Sequence, residues 1–263
     1  AFSKFKFMLS LPGVLFSLAK VMQTAWAVHV RLPGNLGAIG ALLAPLFSRR
    51  IVAKYAGTWP DFDGEPWSYR LQKKILRSRW FSGPVTVYGE WSSQPKNIFP
   101  FFTSILTREQ LAIAHQVSLN RCLHTPAHLL FVGRMDRGKN AHVLLDALHL
   151  LKQGKVPFEA RIVGDGIEWH PLHTQVQNLH LDGQVSFTGA VPFSQVLEHY
   201  EWGDILVLAS DNAEGWPKAI SEGMAYGLVC FGSRRGLIPQ MLAEGRGIVI
   251  SPVNSQNLAQ ALL

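Results

Sequence analysis

The strongest constraint on the fold is an alternation that runs from Leu129 to Ile250. Six short apolar runs (Leu129–Val132, Glu159–Val163, Val185–Phe187, Ile205–Leu208, Leu228–Phe231 and Gly247–Ile250) are separated by five segments with helical spacing (Ala141–Leu151, Trp169–Leu179, Phe193–Tyr200, Pro217–Tyr226 and Ile238–Ala243). Runs this apolar suit strands buried on both faces, and an intervening helix is the connection that parallel strands need. The stretch therefore predicts a parallel sheet with helices on both faces. In such a sheet ligands bind beyond the C-terminal strand ends, where the loops leave for the helices.

A fainter version of the rhythm comes first. Trp26–Leu32 and Arg50–Tyr55 read as strands around a small-residue helix, Leu36–Phe47. A basic amphipathic helix, Tyr69–Trp80, is followed by a strand at Val85–Tyr88, extended chain at Asn97–Phe102 and a helix at Thr107–Val117. A chain of 263 residues, 48% of them hydrophobic, is long enough for two domains. The polar stretch Ser118–Pro126 is the expected linker, dividing an N-terminal domain at 1–117 from a C-terminal domain at 127–263. Ala at the first position and an uncapped helical pattern from Asn254 to Leu263 suggest a fragment open at both ends.

The net charge of +7 is unevenly spread: 13 of the 25 Lys and Arg, but only 4 of the 18 Asp and Glu, lie at or before Thr103. The basic character belongs to the N-terminal part, which is expected to face either solvent or an anionic membrane surface. No nucleic-acid-binding motif accompanies it, so nucleic acid is not an expected partner. Phe7–Ala19 is the most apolar run, but its thirteen residues fall short of the roughly 20 that a membrane span needs. A core or interfacial helix is expected there. With two cysteines, Cys122 and Cys230, a disulfide framework is excluded and a reducing compartment fits. The expected location is the cytoplasm, peripheral to the inner face of a membrane.

Several strand ends carry ligand-type residues. Gly133 to Lys139 leaves the first strand of the alternation, and Arg134 and Lys139 suit a diphosphate, one by forked hydrogen bonds and the other as a point charge. The same residues would also make an ordinary basic turn. Gly164 and Gly166, then Gly189 to Val191, mark two further strand-end turns where backbone can approach a ligand. Around Pro217 a turn, a helix start and two carboxylates meet: Glu214 precedes the helix, Glu222 lies within it, and Gly227 is placed to end it. Free amides at that helix start suit a phosphate and carboxylates suit sugar hydroxyls, so the set reads as a site for a sugar joined to a phosphate. On the first strand of the N-terminal part, His29 and Arg31 point to one face by two-residue alternation. Asp61 and Asp63 have the chemistry for a divalent cation but sit in a Pro/Gly loop, where solvated turn residues are expected.

These residues resemble the retaining glycosyltransferases of family 4, most strongly from about Leu129 to Ala261. Gly133, Arg134 and Lys139 match the family's basic diphosphate-binding loop, and Glu214 and Glu222 match its two glutamates separated by seven residues. The resemblance implies the GT-B fold, an α/β arrangement of two Rossmann-like doubly wound domains facing across a cleft, with the N-terminal domain incomplete here. It implies that Glu214 contacts the transferred sugar and Glu222 the ribose. The backbone of Gly215, Trp216, Pro217 and Lys218 would meet sugar and phosphate, and the turns at Gly164, Gly166 and Val191 would lie near the donor, the last beside the base. His29 lies on a strand that resembles the family's middle strand and is the candidate catalytic residue of the first domain. Arg235-Gly236 stands where paired glycines are usual, and Gln240 where Glu is frequent.

The expected function is transfer of a sugar from a nucleotide-diphosphate donor to a glycan, lipid-linked or polysaccharide-precursor acceptor, with retention. No cofactor or metal is expected, because Arg134, Lys139 and a helix start can neutralise the departing diphosphate. The alternatives are a nucleotide-sugar epimerase of similar fold and a non-catalytic nucleotide-sugar-binding or membrane-associated module.

Overall fold

The computed structural model describes residues 4–263, with side chains from Leu11 onward. Of the apolar run Phe7–Ala19, the side chains before Leu11 lie outside the described residues. The chain forms two compact units, Ala1–Phe102 and Thr103–Leu263.

The first unit contains α1 (Lys4–Thr24), β1 (Val28–Leu32), α2 (Asn35–Phe47), β2 (Ile51–Tyr55), α3 (Trp67–Arg77), β3 (Val85–Tyr88) and β4 (Ile98–Phe101). Its four strands are parallel in the order β1-β2-β3-β4. Val28, Val30 and Leu32, with Ile51, Ala53, Tyr55, Val85 and Val87, form the inner face of one core that also takes in Met22, Ala41, Ala44 and Leu76 from the helices. Gly40 allows α2 to lie close on β1, since a Cβ there would sit 3.2 Å from Val30 Cγ1. The alternate positions His29 and Arg31 are exposed, as two-residue alternation predicts. Helices α1 to α3 thus serve one face of this sheet. Strands added in sequence order with right-handed crossovers put each connecting helix on the same side.

The second unit contains α4 (Arg108–Leu119), β5 (Ala127–Val132), α5 (Ala141–Gln153), β6 (Phe158–Val163), α6 (Trp169–Asn178), β7 (Val185–Gly189) and α7 (Phe193–Trp202). It continues through β8 (Ile205–Leu208), α8 (Lys218–Ala225), β9 (Val229–Ser233), α9 (Ile238–Leu242), β10 (Ile248–Ile250) and α10 (Ser255–Leu262). The six strands are parallel, in the order β10-β9-β8-β5-β6-β7. Read from β7, that is the 3-2-1-4-5-6 order of a doubly wound nucleotide-binding sheet, with its order reversing between β5 and β8. Leu144, Leu145, Leu148 and Leu151 of α5 repeat at helical spacing and bury against Leu129, Phe131, Ile162 and Val207.

The boundary falls earlier than the expected linker at 118–126, because that segment is fastened to the second unit. Arg121 donates to the carbonyls of Tyr226 (2.8 Å), Tyr200 (3.0 Å) and Gly203. α4 packs against α8, and a Cβ on Gly227 would lie 2.8 Å from Ser118 Cβ. The forked guanidinium closes three orphan carbonyls near the ends of α7 and α8, and these bonds tie 118–126 down. Among the described residues no helix is long and apolar enough to cross a membrane.

Candidate functional site

The C-terminal ends of β5, β6 and β7 are stitched side by side. Gly133 N donates to Val163 O (3.0 Å), Gly164 N to Gly189 O (3.0 Å) and Met135 N to Asp165 O (2.8 Å). Gly164, at φ +134°, passes so close to Gly133 that any Cβ would strike the Gly133 carbonyl. Glycine is therefore required at this strand end for packing. Gly166 belongs to the same seam, where a Cβ would meet the backbone of Met135.

Across the point where strand order reverses, the loop after β8 meets the loop after β5. Asp211 N donates to Gly138 O (2.8 Å), and Asn140, in the left-handed conformation at φ 55°, donates its buried amide to Ala209 O (2.9 Å). Lys139 ends a short 3-10 turn at Arg137–Lys139, and its Nζ lies 2.5 Å from Glu214 Oε1. The same oxygen accepts from Ser210 Oγ at 2.8 Å. Both Lys139 and Glu214 side chains are 16% exposed, so the pair stands at the mouth of the switch point, partly shielded from water. Ser233 Oγ in turn donates to Ser210 O (2.5 Å), tying β9 to the loop.

A second contact fixes the Glu214 loop from behind. Gly236, at φ +56°, sits where a Cβ would come within 2.5 Å of Glu214 N, and Leu237 N donates to Glu214 O (2.9 Å). The Arg235-Gly236 pair thus keeps the one glycine that the close approach needs. Pro217 is buried at the N-cap of α8, and Gly227, at φ +78°, ends that helix as expected.

The two glutamates look different ways. Glu214 faces Lys139, whereas Glu222 is 5% exposed and accepts a hydrogen bond from Tyr200 Oη at 2.8 Å. The two carboxylates that meet around Pro217 in sequence thus have different partners, Lys139 for Glu214 and Tyr200 of α7 for Glu222. Burial raises the Glu222 carboxyl above the ordinary glutamate range, against the lowering effects of Tyr200 and Lys218. Burial, with Glu222 beside it, also holds the Tyr200 phenol well above its ordinary value.

The remaining expected residues are less committed. Arg134 is 81% exposed and its Nη2 lies 2.9 Å from Asp136 Oδ2. Lys218 is exposed, while Val191, Gly215 and Trp216 are half-buried in their loops. His29 is exposed on β1 of the first unit. Asp61 pairs with Lys73 (2.6 Å) and Arg77 (3.6 Å), and these cations, with Lys73 the first cause, hold its carboxyl below the usual range. The expected solvated turn is thus a cation-paired one.

Among the described residues one group has metal-ligand chemistry, His124, His128 and Asp204, at the N-terminal ends of β5 and β8. It is committed to hydrogen bonds: Asp204 accepts from His128 N (2.8 Å), His124 N (3.2 Å) and the His124 ring (2.8 Å), and the two imidazoles stack at 4.2 Å. His128 Nδ1 is taken up as well, 3.0 Å from Trp202 O.

Sequence reasoning missed Ser210, Asn140 and Tyr200. None lies in a recognisable motif, and each has a partner distant in sequence: Gly138 O for Ser210, Ala209 O for Asn140 and Glu222 for Tyr200.

The family model for glycosyl transferases group 1 matches residues 121–263. The chain is 31% identical over 153 residues to the amylovoran biosynthesis glycosyltransferase AmsK of Erwinia amylovora, covering 56% of this chain and 38% of that protein. The chain thus spans well under half the length of this relative. In structure it is similar to a glycosyltransferase from Rickettsia africae, with TM-score 0.69 and 20% identity over 100% of this chain and 71% of that one. It is also similar to Anabaena HepE in complex with UDP-glucose, with TM-score 0.66 and 19% identity over 97% of this chain and 72% of that one. At these identities the likeness is one of fold, the α/β fold of GT-B glycosyltransferases.

Proposed function

The chain belongs to the glycosyl transferases group 1 family, and from that premise we propose that it is a transferase that moves a sugar from a nucleoside-diphosphate donor to a polysaccharide or lipid-linked precursor, with retention. The observation that carries this reading is the Lys139–Glu214 pair at the switch point of the second sheet. A donor brings both partners for that pair: a diphosphate for the ammonium and sugar hydroxyls for the carboxylate. Binding exchanges one ion pair for two sets of charge-assisted hydrogen bonds. Glu222 keeps Oε1 outside its Tyr200 bond and is assigned the ribose hydroxyls. UDP-glucose in a protein of similar fold supports a uridine donor, and AmsK's part in amylovoran biosynthesis supports a polysaccharide precursor as acceptor.

As the C1–O bond to the diphosphate breaks, negative charge grows on the leaving oxygen. Lys139, Arg134 and the amides at the start of α8 are assigned to receive it, the role a divalent metal fills in other transferases. In a same-face reaction the acceptor oxygen bonds C1 on the side the diphosphate leaves, and its proton passes to a phosphate oxygen. Retention follows from that geometry. His29 is assigned to the acceptor side.

The test is titration calorimetry with UDP, followed by product analysis with a panel of UDP-sugars. Binding that Lys139→Ala weakens at least about tenfold is expected. UDP binding that is absent, or equal in wild type and Lys139→Ala, would reject the assignment.

A further inference from the structure

We propose that the N-terminal pole of the first sheet is an interfacial anchor that seats this unit on an anionic lipid bilayer. Strands β1 to β3 are parallel, so the segments that enter them meet at one end. Trp26, just before β1, is 78% exposed, and the guanidinium of Arg50, just before β2, lies 4.4 Å over its ring. Arg49 is exposed beside it, and Arg79 and Trp80 precede β3 in the same exposed state. Gly83 brings the β3 entry directly against β2, since a Cβ there would meet the Ile51 side chain at 2.7 Å. The Trp80 indole donates to Leu42 O at 3.1 Å, which lays its ring along the last turns of α2, whose Leu46 is 60% exposed.

The charge on this pole has one sign. The entering segments 25–27, 48–50, 78–84 and 95–97 hold Arg49, Arg50, Arg79 and Lys96 and no Asp or Glu. Of the unit's four acids, Asp61 and Glu65 are taken up by Lys73 at 2.6 and 2.7 Å. Asp63 lies in their loop, and Glu90 leaves β3 at its other end.

Exposed indoles beside arginines match the headgroup layer of a bilayer, where a ring rests at the boundary and a guanidinium forks onto phosphate. Leu46 gives the surface an apolar contact that reaches past the headgroups. A soluble polyanion would engage the same arginines but leave Trp26 and Leu46 without apolar partners. The proposal does not depend on the sugar-transfer reading, and its test reads no activity.

The experiment is flotation of the full chain with phosphatidylcholine vesicles, with and without about 30% phosphatidylglycerol. Salt-sensitive binding to the anionic vesicles alone is expected. Arg49→Gln, Arg50→Gln and Arg79→Gln should each lower the partition coefficient about fivefold. Trp26→Ala and Leu46→Ala should lower it while preserving the salt dependence. These side chains lie on the surface, so unchanged thermal melts should accompany every loss. Failure to float with anionic vesicles, or flotation indifferent to the arginine changes, overturns the proposal. Sensitivity to the arginines but not to Trp26 and Leu46 would assign the pole to a soluble polyanion, and the bilayer would be rejected.

Discussion

Lys139 Nζ and Glu214 Oε1 stand 2.5 Å apart across the point where the second sheet reverses its strand order. Each is the other's main charged partner, so a diphosphate that claims Lys139 must displace Glu214. Lys139→Ala should therefore weaken UDP binding at least tenfold, the scale of a lost charge-assisted hydrogen bond of about 1.5–3 kcal/mol. Glu214→Gln removes a competitor for the same ammonium, so UDP affinity should hold or rise while sugar transfer falls. Calorimetry on the single and double variants measures the coupling. A loss of UDP affinity in Glu214→Gln as large as in Lys139→Ala would show that the pair acts differently.

Tyr200 and Glu222 make a prediction about pH. Burial raises the Glu222 carboxyl in the folded chain, so its protonated form suits the fold better than its ionised form. The stability this contributes is complete below the unfolded glutamate pKa and is lost as pH rises through the folded one. Glu222→Gln should match wild type in acid and gain on it as pH climbs, which melts between about pH 4 and pH 8 will read. Tyr200→Phe leaves the buried carboxylate without its 2.8 Å donor and should destabilise the chain by about 1–3 kcal/mol.

Much of this architecture was legible in the sequence, and the legible part has a common cause. The β-α alternation, the glycine that ends α8 and the loops carrying Lys139 and Glu214 are local signals, written in residues near one another. What escaped depends on contacts between distant segments. Ser210 reaches across to Gly138 O, about seventy residues away, Arg121 spans about a hundred residues to Tyr226, and Asn140 adopts a left-handed turn to reach Ala209. The inward aim of Glu222 was hidden for a related reason: spacing along α8 puts it on a face but does not say which neighbour fills that face. One-sided helix packing in the first unit follows from strand order, which periodicity does not encode.

Gly164 and Gly183 form a paired test of close backbone approach. Gly164 lies against the Gly133 carbonyl at φ +134°, whereas a Cβ on Gly183 meets nothing within 4 Å. Gly164→Ala should lower stability by about 2 kcal/mol or more, through strain and displacement of the β5 strand end. Gly183→Ala should stay within about 0.5 kcal/mol of wild type. Chemical denaturation of both variants is the measurement, and equal stabilities would mean that the β5–β6 seam yields easily.

Asp204 should show a pH dependence opposite in sign to that of Glu222. Burial acts to raise its carboxyl, but the amides of His128 and His124 and the His124 ring outweigh it, and the net shift is downward. A depressed folded pKa contributes stability that is present above the unfolded aspartate pKa and is lost as pH falls through the folded one. Asp204→Asn removes the charge and sets an NH2 group among the donors that converge there. It should lower stability by about 3 kcal/mol near neutral pH, the lower range for breaking a buried ionic contact. The gap from wild type should narrow in acid, where the native carboxylate is itself protonated. Melts of wild type and Asp204→Asn across that range decide the matter: a gap that stays constant with pH would mean that shape, rather than charge, holds the entry to β5 and β8.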